Sequence, residues 1–63
     1  MKLARSSVEG AVIRETELAV LVKTEDFGDI WIPRSACEAG DTLSVGDDDI
    51  RVSNWWLRRE GML

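Results

Sequence analysis

Trp55, Trp56, Arg58 and Arg59 crowd the end of the chain and have the side chains that recognise flat or anionic ligands. An indole offers a face on which a base can stack, and a guanidinium pairs a phosphate through two parallel N–H groups. Each also has an ordinary role. Cations in the last turn of a helix complement its dipole, and a tryptophan there can dock the helix on a core. Adjacent helical residues point about 100° apart, so two neighbouring tryptophans cannot share one narrow core stripe. Trp55 is expected to dock the helix, with Trp56 or Leu57 beside it, and Trp56 to meet another subunit or a ligand. Arg34 and Lys23 could extend the same patch. The expected ligand-binding set is therefore Trp56, Arg58, Arg59, Arg34 and Lys23.

The inventory for catalysis is poor. The chain has no histidine, no tyrosine and one cysteine, Cys37, and it has no glycine-rich phosphate loop. Ser35 has no base to activate it. Its spacing to Glu38 is that of a capping box, in which hydroxyl and carboxylate each satisfy a free amide at a helix start. Asp47, Asp48 and Asp49 have the composition of a solvated turn, a weak divalent-cation site being the alternative. Zinc lacks a ligand set, and no internal disulfide can form. No catalytic residue, metal or cofactor is expected, and the chain reads as a non-enzyme.

Elements that could position these residues are short. A chain of 63 residues is one domain at most and buries only about 60% of its unfolded surface, so oligomerisation is the expected source of added burial. Residues 1–6 read as a frayed or edge segment. Residues 8–13 read as a strand interrupted by Gly10, where a bulge or a close backbone approach calls for glycine. Residues 18–22 are an aliphatic run too short for a buried helix and read as a buried strand. A polar loop over residues 24–29 then gives a hairpin into Ile30-Trp31-Ile32, with the isoleucines on one face and Trp31 on the other. Trp31, mid-strand between isoleucines, reads as core.

Pro33 ends that strand. A single helical or 3₁₀ turn follows, with Gly40 as its left-handed stop. Residues 42–45 and 49–52 read as two further strands with alternating apolar residues. Ser53 or Asn54 is expected to cap a helix running to Glu60, which Gly61 ends. The expectation is an all-β, single small domain over residues 1–63: a five-stranded SH3-like or OB-like barrel with one helical turn and a short C-terminal helix.

Eight Lys and Arg against twelve Asp and Glu give a net charge of −4. That disfavours a general grip on long double-stranded nucleic acid. No apolar run approaches the roughly 20 residues that span a bilayer, and the first residues lack the apolar middle of a secretory signal. A cytoplasmic setting is expected.

Two segments carry a family resemblance. Ile30-Trp31-Ile32-Pro33-Arg34-Ser35 with Glu38, and Val52-Ser53-Asn54-Trp55 with Gly61, resemble a group of short, mostly uncharacterised phage- and prophage-encoded proteins with a Trp-Ile-Pro-Lys/Arg-Ser motif and a Trp-bearing terminal helix. The resemblance covers roughly residues 8–63 and implies an accessory protein acting in the host cytoplasm, with no defined activity. The group usually has an aliphatic residue where Cys37 stands, which fits a buried, structural cysteine. It commonly has Leu-Ala and acidic residues where this chain has Trp56-Leu57-Arg58-Arg59, a change towards anion and base recognition. With the resemblance, the residues suggest a non-enzymatic homo-oligomer that sequesters a small nucleotide, such as a host defence signal. The alternatives are a protein-interaction module that inhibits a host protein and a binder of single-stranded nucleic acid.

Overall fold

A computed structural model describes residues 4–63; the first three residues of the expected frayed segment lie outside them. The fold is an open, four-stranded antiparallel sheet with strands β1 (Arg5–Glu15), β2 (Ala19–Thr24), β3 (Gly28–Pro33) and β4 (Asp48–Ser53) in the order β3-β2-β1-β4. One helix, α1 (Asn54–Arg59), follows β4, and 3₁₀ turns at Arg34–Ala36 and Gly40–Thr42 fill the β3–β4 connection.

The sheet forms where alternation lets one face be buried. Val8 and Val12 of β1, Val20 and Val22 of β2, Ile32 of β3, and Ile50 and Val52 of β4 make one core with Ala36, Cys37, Trp56 and Leu57. β1 runs farther at both ends than expected and bends at two irregularities, one against β4 between Val8 and Ala11 and one against β2 between Val12 and Arg14. Gly10 sits in the first, where a Cβ would run into the Lys23 carbonyl. The close approach read from its position in the strand is therefore present. The aliphatic strand also forms, shifted by one residue: Leu18 is exposed in the preceding turn and β2 begins at Ala19. The β2–β3 hairpin closes through Gly28 in the left-handed region at φ 71°. The Thr24 hydroxyl donates to the Gly28 carbonyl at 2.7 Å and accepts from the Phe27 amide at 2.9 Å.

The fifth strand and the closed barrel do not form. Residues 43–47 are a loop because side chains take the backbone groups a ladder would need. The Ser44 amide donates to Asp47 Oδ2 and the Val45 amide to Glu15 Oε2, each at 3.0 Å. The Leu43 carbonyl accepts from Arg34 Nη1 at 2.8 Å. Without that strand, β3 and β4 remain edges. β4 is partly covered, since Cys37 bridges to Val52 and the Glu38 amide donates to the Arg51 carbonyl at 2.8 Å.

The expected 3₁₀ turn after Pro33 is present, but its capping box is not. Pro33 is the N-cap with no side-chain bond, and Glu38 instead pairs with Arg51 at 3.3 Å. The left-handed residue is Ala39, at φ 51°, and Gly40 starts the second turn. Gly40 is glycine for a different reason: a Cβ there would collide with the Arg34 carbonyl.

α1 ends as expected at Gly61, φ 78°. The Gly61 amide donates to the Arg58 carbonyl at 3.1 Å and the Met62 amide to the Leu57 carbonyl at 2.8 Å. That is the Schellman pattern, with Met62 folded back on the core beside Leu57. At the other end, Ser53 takes the N-cap position without a side-chain bond. The Asn54 amide donates to the Ala4 carbonyl at 2.9 Å, and Asn54 Oδ1 accepts from the Ser6 hydroxyl at 2.6 Å.

Candidate functional site

The five residues expected to bind a ligand do not converge. Trp56 is 6% exposed and part of the core, whereas Trp55 is 48% exposed. The two tryptophans do part, as helical geometry requires, but in the opposite sense to the expectation. Trp56 and Leu57 are buried in the core with Met62 packed against it, which leaves Trp55 outside. Arg58 and Arg59 are both exposed in the last turn of α1. The Arg59 guanidinium lies 5.7 Å from the Trp55 ring centroid and 3.4 Å from Glu60 Oε2. Ring and cation therefore meet, one residue earlier than expected.

Arg34 is not available to a ligand. Its side chain is only 13% exposed. Nε donates to the Thr16 carbonyl at 3.0 Å, and Nη1 donates to the Gly40 and Leu43 carbonyls at 2.8 Å each. Nη2 reaches Glu15 Oε1 at 3.4 Å. The guanidinium ties the β3–β4 connection to the β1–β2 turn, and the backbone supplies the acceptors that a phosphate would have supplied.

Lys23 lies on the sheet face opposite α1, because Val22 and Thr24 on either side of it point into the core. That outer face has two well-defined rows. One crosses all four strands as Asp48, Ala11, Lys23 and Asp29. The other crosses three as Arg14, Leu21 and Trp31. Trp31 is 49% exposed, so its expected place in the core is corrected: the isoleucines take the inner face and the indole the outer one. Ala19 opposite Pro33 continues the apolar surface beyond Leu21 and Trp31. Glu9, Glu25 and Asp49 line the hollow beside Lys23 and Asp48. The outer face thus has a largely apolar end, bordered by Arg14, and an acidic end.

Cys37 is 7% exposed and its thiol donates to the Pro33 carbonyl at 3.5 Å. Burial pushes the thiol pKa up and the nearby Arg34 charge only partly opposes this, so the protonated form is favoured and the residue acts as core. Asp47 caps its own turn through the Ser44 amide. Among the described residues, no group of three or more His, Cys, Asp or Glu side chains is placed to hold a metal. Nor is any helix among the described residues long and apolar enough to cross a membrane.

No family model matches the chain, and neither a curated protein nor a solved structure matches it. The fold and its surfaces define a small antiparallel β domain with one covered and one uncovered sheet face. Sequence reasoning missed the outer rows because it placed Trp31 in the core. The available signal was the alternation of Ile30, Trp31 and Ile32, which put the ring opposite two core isoleucines.

Proposed function

We propose that this protein is a non-enzymatic interaction module whose partner is another protein, held on the outer face of the sheet. The observation that carries this reading is the uncovered Leu21–Trp31 row beside the acidic Asp48–Lys23–Asp29 row. An apolar row flanked by unbalanced carboxylates suits a polypeptide that presents an apolar side chain next to lysine or arginine. It does not suit a phosphate, since Lys23 stands between two aspartates. In the phage-type setting that the sequence motif implies, the partner would be a host protein in the cytoplasm and binding would inhibit it.

The nucleotide-sequestering reading retains one specific support, the Arg59 guanidinium over the exposed Trp55 ring with Arg58 beside it. The two readings separate by substitution. Tagged protein is used to capture partners from host cells, and Leu21→Lys and Trp55→Ala variants are compared with the parent by quantitative mass spectrometry. The protein-partner reading expects one protein at near-stoichiometric yield, lost on Leu21→Lys and retained on Trp55→Ala. Retention of that protein by Leu21→Lys would refute the outer face as its site. A nucleotide that co-purifies and is lost on Trp55→Ala would transfer the function to α1.

A further inference from the structure

β3 is an outer strand of the sheet, paired on one side only. Within the hairpin the Arg34 amide donates to the Leu18 carbonyl at 2.9 Å, in the same register that pairs Val20 with Ile32 and Val22 with Ile30. Antiparallel ladders alternate bonded and non-bonded pairs. The even-numbered residues of β3 therefore bond to β2, and Asp29 and Trp31 turn their N–H and C=O groups away from the sheet. Among the described residues, none of the backbone bonds made by loops or caps reaches those groups. Pro33 has the third outward position and no N–H to offer.

The edge is only partly protected. Natural sheets blunt an open edge with charge, proline, a bulge or a covering segment; β3 has Asp29 towards one end and Pro33 at the other, with no bulge against β2. β4 has the Cys37–Glu38 segment beside it, whereas the centre of β3 is Ile30-Trp31-Ile32 in unbroken register with β2. Beside that edge runs a groove lined by Phe27, Ile30, Trp31, Trp56, Glu60 and Met62, so an added strand would find both backbone partners and a floor of mixed apolar and polar surface.

Three antiparallel registers can be weighed for a second copy. Pairing Asp29 with the partner's Asp29 sets like charges face to face, which is destabilising. Pairing Trp31 with the partner's Trp31 puts Asp29 opposite Pro33, which cannot return a bond. Pairing Asp29 with the partner's Trp31 has neither defect. It places Ile30 against the partner's Ile30 on the two-fold axis over the groove and sets Ile32 opposite Gly28, where no side chain obstructs. The outward groups of Asp29 and Trp31 on both chains then make four N–H···O bonds, and the carboxylate of Asp29, already beside Lys23, meets an indole edge. We propose that two chains join β3 to β3 in this register to form one continuous eight-stranded sheet. The proposal does not depend on what the outer face binds, although it would make the Leu21–Trp31 rows of both copies one surface.

The test is sedimentation velocity of the full chain over a range of concentrations, with amide hydrogen exchange read residue by residue. A two-fold dimer of twice 7.1 kDa is expected, with Asp29 and Trp31 amides gaining protection as concentration rises while Ile30 and Ile32 are protected throughout. Salt should strengthen the dimer, since each chain carries −4 and screening relieves their repulsion. Asp29→Pro removes the outward donor on each chain without removing a β2 bond, so it should weaken the dimer at least about tenfold with an unchanged circular dichroism spectrum. A protein that stays monomeric at about millimolar concentration would overturn the proposal. So would a dimer in which Asp29 and Trp31 amides stay unprotected, or one that Asp29→Pro leaves intact.

Discussion

Replacing Arg34 with alanine should remove about a third or more of the domain's stability, although the residue touches no part of the proposed binding face. Its guanidinium holds the β3–β4 connection, and two of its bonds, to the Gly40 and Leu43 carbonyls at 2.8 Å, are partly buried. Bonds to a charged group contribute about 1.5–3 kcal/mol each; at the lower figure these two amount to about 3 kcal/mol. The exposed bond to Thr16 and the 3.4 Å pair with Glu15 are screened by water and add less than about 1 kcal/mol together. A domain of 63 residues has a stability of roughly 3–9 kcal/mol at the usual value per residue. Arg34→Ala should therefore lose about 3–4 kcal/mol, equivalent to more than about 12 °C in Tm. Arg34→Lys, which can reach one carbonyl but not all three, should recover part of this. Urea unfolding followed by tryptophan fluorescence and far-ultraviolet circular dichroism measures both. A loss below about 1 kcal/mol for Arg34→Ala, with the parent's denaturant slope, would refute the clamp.

Other expectations follow from single positions. Gly40→Ala should cost about 1–3 kcal/mol, because its Cβ meets the Arg34 backbone carbonyl and not a movable side chain; thermal melts check this, and a neutral result would contradict the close approach. Cys37 should react slowly with Ellman's reagent in the native state and quickly in urea. Because burial raises its pKa in the folded state, its neutral form contributes stability that is complete below the unfolded thiol's pKa of about 8.5 and is lost as pH rises through the folded value. Stability should fall above about pH 8.5, and Cys37→Ala should remove that part of the slope; an unchanged slope would refute the assignment. Trp31→Thr should change stability by no more than about 1 kcal/mol, since the ring is half exposed on the outer face, and calorimetry of the purified variant tests it.

Much of the sheet was legible in the residues themselves. Alternation placed the isoleucines of β3 on one face, Gly10 marked a real close approach, Pro33 ended its strand and Gly61 ended α1. Those signals are local, and the structure keeps them. The fifth strand was misread because residues 42–45 have the alternation of a strand, while the groups that prevent one, Arg34, Glu15 and Asp47, lie mostly elsewhere in sequence. The same long-range contact removed Arg34 from the expected ligand set: an arginine after a proline stop looks free until the carbonyls of Thr16, Gly40 and Leu43 are brought to it. Trp55 and Trp56 show the limit most plainly. Helical spacing requires that they separate, but which one turns inward depends on how the helix packs on a core assembled from all four strands, and a single residue of rotation reverses the outcome.

The most direct test of the central claim, that the outer face holds a protein, is native mass spectrometry of the protein recovered from host cells. The account predicts a complex with a polypeptide that dissociates in the Leu21→Lys variant and no added mass of several hundred daltons. A bound nucleotide that survives Leu21→Lys and is lost on Arg59→Ala would contradict it.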